Sequence, residues 1–270
     1  MHTHPLHLHL SLATILTATC SLAQGDDPLP WFAEEALASG LEWNHVSGAR
    51  PGRYWFPEIM GGGVALFDYD GDGDLDVYLV QSGHLDLQEG ERQPTNRLFR
   101  NEGDGTFTDQ TEESGLGDDG YGMGVACGDY DQDGDVDVYV TNVGPNVLYE
   151  NRGQGVFKDV TKKMKVGDGG WGTSAAFLNI DGDADLDLFL VNNLNWGPAI
   201  ETPCNGLRNK PDYCSPENYN ARSTDVLFIK GRLGFQDSSG RYGMHLTNGN
   251  GLGVACADYD LDGDMDIYVA

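Results

Sequence analysis

Asp68-Tyr69-Asp70-Gly71-Asp72-Gly73-Asp74-Leu75-Asp76 sets five carboxylates on alternate residues, and its surroundings decide the fold. The spacing returns at Asp129-Tyr-Asp131-Gln-Asp133-Gly-Asp135-Val-Asp137, Asn179-Ile-Asp181-Gly-Asp183-Ala-Asp185-Leu-Asp187 and Asp258-Tyr-Asp260-Leu-Asp262-Gly-Asp264-Met-Asp266. The starts lie 61, 50 and 79 residues apart. A Gly-rich alternating run precedes each copy, from Gly61, Gly122, Gly172 and Gly251, and a short β-type run follows, as in Val77-Tyr-Leu-Val80. The pattern reads as strand, acidic loop, strand.

A second element follows the first three copies. Asn96-Arg-Leu-Phe-Arg-Asn101 leads through Gly103-Asp-Gly105 to Thr106-Phe-Thr-Asp-Gln-Thr111. Asn146 to Thr161 repeats it, and Asp225-Val-Leu-Phe-Ile-Lys230 to Phe235-Gln-Asp-Ser-Ser239 repeats it loosely. Each is a hairpin with a Gly-rich turn. One unit thus has four strands, the size of a propeller blade. The expected fold is all-β, a β-propeller of four-stranded blades with calcium-binding hairpin loops.

The expected units are 61–121, 122–171, 172–250 with an insertion at 194–224, and a partial unit at 251–270. Residues 24–60 form an N-terminal segment in which Phe32-Ala-Glu-Glu-Ala36 and Ser39-Gly-Leu41 align with Phe107 to Thr111 and Ser114-Gly-Leu116. That alignment predicts an orphan outer strand. About three and a half blades fall short of the usual ring of four to eight, so the chain reads as part of a longer protein.

Alternating side chains curled by glycine at position 6 bring positions 1, 3, 5 and 9 around one centre. The predicted ligands are Asp68, Asp70, Asp72 and Asp76; Asp129, Asp131, Asp133 and Asp137; Asn179, Asp181, Asp183 and Asp187; and Asp258, Asp260, Asp262 and Asp266. Asp74, Asp135, Asp185 and Asp264 at position 7 join through their backbone carbonyls, with side chains toward solvent. Such an oxygen set suits Ca²⁺, which takes six to eight oxygens at about 2.3–2.6 Å, better than the smaller Mg²⁺ octahedron. An EF-hand needs Glu at position 12 between helices; here Leu79, Val140, Leu190 and Val269 stand there. The third loop departs from the pattern, with Asn179 at position 1 and Ala184 at position 6. A left-handed Ala costs about 1–2 kcal/mol, so this loop is expected to bind the ion most weakly.

The loops lie in a chain of 270 residues with 16 Lys and Arg against 43 Asp and Glu, a net charge of −27. Nucleic acid and anionic membranes are poor partners for that charge. Hydrophobic residues at 39% exclude a disordered acidic tail. Residues 1–23 read as a signal peptide cleaved after Ala23, with no membrane span in the mature chain; Thr17-Ala-Thr19 before Cys20 is a poor lipidation site. The chain is therefore expected to be secreted or otherwise extracytoplasmic, in the periplasm or on the cell surface. There Cys204 and Cys214, in a Pro- and Asn-rich stretch, are placed for a loop disulfide. Cys127 and Cys256, at matching repeat positions, read as small buried apolar residues.

The Asp-x-Asp-x-Asp-Gly-x-x-Asp loops between strands resemble FG-GAP/VCBS repeats. More closely, the stretch from Pro57 to Asp76 and Asn101-Glu-Gly-Asp-Gly-Thr-Phe-Thr-Asp109 resemble the ASPIC/UnbV group related to cartilage acidic protein. The resemblance implies a secreted, calcium-stabilised seven-bladed propeller followed by a C-terminal ASPIC/UnbV domain, of which this chain would be a fragment.

The expected function is a non-enzymatic calcium-binding module for adhesion or extracellular recognition, with structural ions and a protein or glycan partner. Tyr121, Trp171 and Trp196 are candidate contact residues, with core packing the competing reading for Tyr121 and Trp171. One alternative is a glycan-acting propeller enzyme, for which Ser174 and His245 would be nucleophile and base; no nucleophile-elbow motif surrounds Ser174, and no catalytic residue is assigned. Another is a scaffold for the C-terminal domain.

Overall fold

The computed structural model describes residues 33–244 and 248–270. The chain divides into two compact units, residues 1–35 and 36–270. In the first, the described residues 33–35 carry no regular structure. The expected signal peptide, Cys20, Phe32 and His245 lie outside the described residues.

The second unit is built of small antiparallel sheets. Strands β1 (Val64–Phe67), β2 (Asp76–Leu79), β3 (Arg97–Asn101) and β4 (Phe107–Asp109) pair in sequence order. After a helical turn, α1 (Thr111–Ser114), β5 (Gly122–Gly128), β6 (Asp137–Asn142), β7 (Val147–Asn151) and β8 (Phe157–Asp159) repeat the arrangement. A second turn, α2 (Thr161–Met164), leads to β9 (Gly172–Leu178) and β10 (Asp187–Asn192). The insertion follows, with β11 (Cys204–Asn205) paired to β12 (Pro211–Asp212), and β13 (Ser223–Thr224) at its end. Strands β14 (Val226–Gly231) and β15 (Gly234–Asp237) complete the third sheet in the order β15-β14-β10-β9. Strand β16 (Asn248–Gly249) pairs with β13, and β17 (Val254–Ala257) with β18 (Asp266–Val269) form a final hairpin. The protein is thus all-β apart from single helical turns, with three four-stranded sheets of blade form. A closed ring is not seen among the described residues.

The first strands of successive sheets lie against one another, which explains their glycines. A Cβ on Gly124 would sit 2.5 Å from the Thr173 carbonyl oxygen. Gly253 occupies the same repeat position in the final hairpin, where a Cβ would meet nothing within 4 Å.

Between sheets the core is aliphatic and aromatic. Tyr78, Val80 and Leu98 of the first sheet meet Val138 and Val140 of the second. Tyr139, Leu148 and Ala126 of the second meet Leu188 and Leu190 of the third. Tyr78 and Tyr139 are wholly buried, and their hydroxyls donate to the carbonyls of Leu116 (2.9 Å) and Val166 (2.7 Å). Each ring fills a sheet-to-sheet gap while its polar tip satisfies the turn behind it.

That turn recurs. Gly40, Gly115, Lys165 and Gly243 all adopt left-handed backbone, with φ of 89°, 78°, 62° and 76°. The Leu41 N–H donates to Ala36 O (2.8 Å) and the Met244 N–H to Ser239 O (2.9 Å), as Val166 does to Thr161 (3.3 Å). Each of the first turns docks on the outer strand of the following sheet: Phe107 N–H donates to Ser39 O at 2.7 Å. The match seen between residues 36–41 and 111–116 is therefore one of turns. In its described part, residues 33–36, the predicted orphan strand shows no strand structure.

Close approach at Gly124 makes a specific demand. Gly124→Ala is expected to lower stability by about 1–3 kcal/mol through overpacking, while Gly253→Ala changes it by about 0.5 kcal/mol or less. Urea denaturation of the two variants checks this.

Candidate metal centres

All four acidic stretches form the connection between the first and second strands of a sheet, as the repeat predicts. Their backbone is shaped from within. Asp68 Oδ1 accepts from the N–H groups of Gly71 (2.8 Å) and Asp72 (3.2 Å), and Oδ2 from Gly73 (2.9 Å). Asp129 accepts from Asp133 and Gly134, and Asp258 from Asp262 and Gly263, at 3.0–3.1 Å. The position 6 glycines that these bonds reach have φ of 94° (Gly73), 99° (Gly134) and 98° (Gly263), a region open to glycine.

Position 9 has a different character. Asp76, Asp137 and Asp187 are wholly buried. Asp76 accepts from Tyr69 N–H (3.0 Å) and Asn101 N–H (2.8 Å). Asp137 accepts from Tyr130 (3.0 Å) and Asn151 (2.8 Å), and Asp187 from Ile180 (2.9 Å) and Lys230 (2.8 Å). One carboxylate thus ties loop position 2 to the end of the third strand. Burial pushes the Asp137 carboxyl up to about 7, against these two donors. Asp76 and Asp187 are raised for the same reason.

The carboxylates converge in three loops. One oxygen each from Asp68, Asp70 and Asp76 lies within 4.8 Å of the others, as do oxygens of Asp129, Asp131 and Asp137, and of Asp258, Asp260 and Asp262. Oxygens sharing one Ca²⁺ at roughly 2.3–2.6 Å lie no more than about 5 Å apart, so each trio has the span of a coordination shell. Asp131 adds a further observation: its Oδ1 is buried and has no hydrogen-bond partner. A buried carboxylate oxygen without a donor is costly unless a cation meets it. Burial first and the neighbouring Asp133 second raise the Asp131 carboxyl; burial and Asp72 do the same to Asp70. The donor set, all oxygen and strongly anionic, fits a hard divalent cation.

Not every predicted ligand joins a trio. Asp72 and Asp133 at position 5 cap their own turns, accepting from Asp74 N–H (2.9 Å) and Asp135 N–H (3.0 Å). The position 7 side chains do not all face solvent: Asp74 and Asp264 are exposed, but Asp135 and Asp185 are half-buried. Asp185 is half-buried because Gln132 of the neighbouring loop donates to its Oδ1 at 3.2 Å. In the third loop Asn179, Asp181, Asp183 and Asp187 form no carboxylate trio among the described residues.

Two features went unread in the sequence. Position 4 is left-handed in every loop, at Gly71 (79°), Gln132 (62°), Gly182 (78°) and Leu261 (62°); glycine in two copies was the available signal. Asn101 and Asn151 lock the loops from the third strand. Asn151 Nδ2 donates to Tyr69 O (3.0 Å) in the preceding sheet's loop, and Asn101 Nδ2 to Leu75 O (3.1 Å). Both asparagines end the repeated hairpin strand, which was the visible sign.

Across the sheets from the acidic loops, an aromatic cluster joins residues 55–56 to the insertion. Phe56, Trp171 and Tyr219 pack together with ring centroids 5.5 and 5.6 Å from Phe56. Trp196 meets Trp55 (5.7 Å) and Trp171 (6.3 Å) edge-on, and its Nε1 donates to Glu201 at 2.8 Å. A Cys204–Cys214 disulfide staples the insertion. Tyr121 and Trp171 are 4% and 1% exposed, so both serve the core and neither presents a ring for stacking. Trp196, half-buried, lines a cavity of ≈ 420 Å³ with Leu85, Asn195 and Pro198. Cys127 and Cys256 are free and half-buried among apolar neighbours, and burial pushes the Cys127 thiol up to about 12. Ser174 stands half-buried within β9.

With these loops in view, comparison is informative. A family model described as FG-GAP-like repeat matches residues 68–140 and 129–190. Residues 68–190 carry FG-GAP-like repeats. Each matched stretch opens on one acidic loop, runs through the whole of the next and ends inside the strand that follows it, β6 or β10. No curated protein matches the chain.

The two kinds of aspartate are separable. Asp137→Ala is expected to lower the melting temperature both with calcium and with chelator, since it removes two backbone hydrogen bonds, each worth about 1 kcal/mol or more. Asp131→Ala lowers it only where the ion is present. Thermal melts of both variants in the two buffers check this.

Proposed function

We propose that this chain is an extracytoplasmic, non-catalytic calcium-binding module for adhesion or recognition, its repeats forming part of a propeller of the ASPIC/UnbV kind. The observation that carries the reading is the convergence of Asp129, Asp131 and Asp137, with the buried Asp131 Oδ1 left for a cation. The same role falls to Asp68, Asp70 and Asp76 and to Asp258, Asp260 and Asp262. A bound Ca²⁺ supplies positive charge that offsets their mutual repulsion and so stabilises the folded loop over the unfolded one.

FG-GAP-like repeats and the insertion's disulfide support an extracellular setting. No helix of the described residues is long and apolar enough to cross a membrane. The insertion supports a recognition role, because its first residues, 194–198, join inter-strand loops in walling a Trp196-lined cavity remote from the acidic bends. An extracellular protein or glycan is the partner this reading calls for. Ser174 lies inside a strand with no elbow turn around it, which favours binding over catalysis.

Calorimetric titration with Ca²⁺, beside thermal melts with and without chelator, tests the proposal. Binding accompanied by a rise in melting temperature is expected; no binding and an unchanged melt overturn it. In the same titration Asn179→Asp combined with Ala184→Gly is expected to raise the calcium stoichiometry or the weakest affinity, by restoring the position 1 anchor and the left-handed position 6.

A further inference from the structure

The cations of this chain are not spread evenly. Residues 152–165 and 230–241 hold eight of the 16 Lys and Arg and only two acids, Asp159 and Asp237, in a chain of net charge −27. The fold brings these two segments together: Gly234 of β15 packs against Met164 of α2, its Cβ position 3.4 Å from the Met164 sulfur. Beside this contact, the β14–β15 hairpin and the turn after it form a groove of ≈ 930 Å³ whose wall includes Lys230, Arg232 and Arg241, with Lys165 joining from the other segment.

These groups have little to neutralise them. Arg50, Arg53, Arg97, Arg100 and Arg152 each form an ion pair with a nearby carboxylate. Among the described residues Lys165, Lys230, Arg232 and Arg241 form none, although the chain offers nearly three carboxylates per cation. Lys230 and Arg241 rest over the rings of Tyr130 and Tyr242 at 5.5 Å, contacts that hold the side chain and leave the charge available. The one acid in the groove wall, Asp237, is engaged by the N–H (2.9 Å) and hydroxyl (2.5 Å) of Ser239. The remaining polar wall, Gln236 and Ser238, offers further hydrogen-bonding groups.

We propose that this groove binds a polyanionic glycan, one bearing carboxylates or sulfates along its length. The inference rests on the recognition reading above and assigns a partner class to a second surface, distinct from the Trp196 cavity. Four cations lining one groove match charges repeated along a chain better than one compact anion. The lining mixes the cations, Gln236 and Ser238 with apolar Ile229 and Leu233, and Phe235 is buried beneath it, a mix that suits sugar rings, which carry hydroxyls around apolar C–H faces. A surrounding excess of negative charge repels polyanions elsewhere and confines them to this groove.

Surface binding to immobilised polygalacturonate and dextran sulfate, with neutral dextran and poly-glutamate as comparators, tests this in calcium-containing buffer. The wild-type chain is expected to bind a charged glycan, not dextran, with affinity falling as salt is raised. Arg232→Glu with Arg241→Glu should weaken binding about tenfold or more at ~0.1 M salt, and the Gln pair should give a smaller loss. Lys210→Glu, in the insertion, should match wild type. Melting temperatures of all variants should equal that of wild type, since both arginines are exposed. Absence of binding to both charged glycans, equal binding by the Glu pair, or tighter binding to poly-glutamate each overturns the proposal. Calcium titration and melting are independent of these outcomes, so the recognition module can stand where the glycan site fails.

Discussion

A buried carboxylate accepting two backbone N–H bonds is the joint on which each sheet turns. Asp76, Asp137 and Asp187 sit at the first residue of the second strand and reach both backwards into the acidic loop and sideways to the third strand. Side chains at this depth are usually apolar. The cost of burying a carboxyl is offset because both donors are preorganised by strand pairing, so neither the loop nor the strand end is left with an orphan N–H. Asp266 keeps only the loop half of this arrangement, through Tyr259 N–H at 3.0 Å.

The same joint places an anion beside other anions. Position 9 brings Asp76 and Asp137 to within 4.8 Å of the carboxylates at positions 1 and 3, while the sheet's core packing continues directly from the same strand through Tyr78 and Tyr139. Loop closure and core formation are therefore coupled. A cation at the loop acts on the sheet because the residue it would neutralise is also the residue that aligns the second and third strands. This is a physical route by which structural ions stiffen a repeat without touching its hydrophobic interior.

Much of this was readable in the linear pattern. Four registers of alternating aspartates between β-type runs carried the strand order of the three sheets, and Gly153 and Gly103 marked the hairpins. What the pattern hid was division of labour among identical residues. Asp70, Asp72 and Asp76 look alike in sequence, yet one faces the shared centre, one caps a turn and one is buried as a brace; only packing depth separates them. Residues 33–41 show the converse case. Their likeness to residues 107–111 and 114–116 carries into structure at the turn, where Gly40 and Gly115 share a left-handed backbone, while residues 33–36 show no strand structure. Gln132 and Leu261 in left-handed backbone were hidden because both side chains normally avoid it, and the loop geometry around them overrides that preference.

The third loop shows how the architecture tolerates loss of its anchor. Ala184 is absent from the left-handed region that Gly73, Gly134 and Gly263 occupy, and no bond from its N–H to position 1 forms. Asn179 instead accepts from Gly182 N–H at 2.8 Å and donates its amide to the Asp183 carbonyl. A carboxylate at position 1 has no hydrogen to give, so this closure is open only to the amide. Gln132 then braces the loop from the neighbouring sheet by donating to Ala184 O at 2.5 Å and Asp185 Oδ1. Substituting Asn for Asp removes one negative charge from the bend, and the added donors replace part of what a cation would contribute. The loop keeps the brace of Asp187 and its place in the sheet, so a bend of this kind can give up a carboxylate without disturbing the strands that flank it.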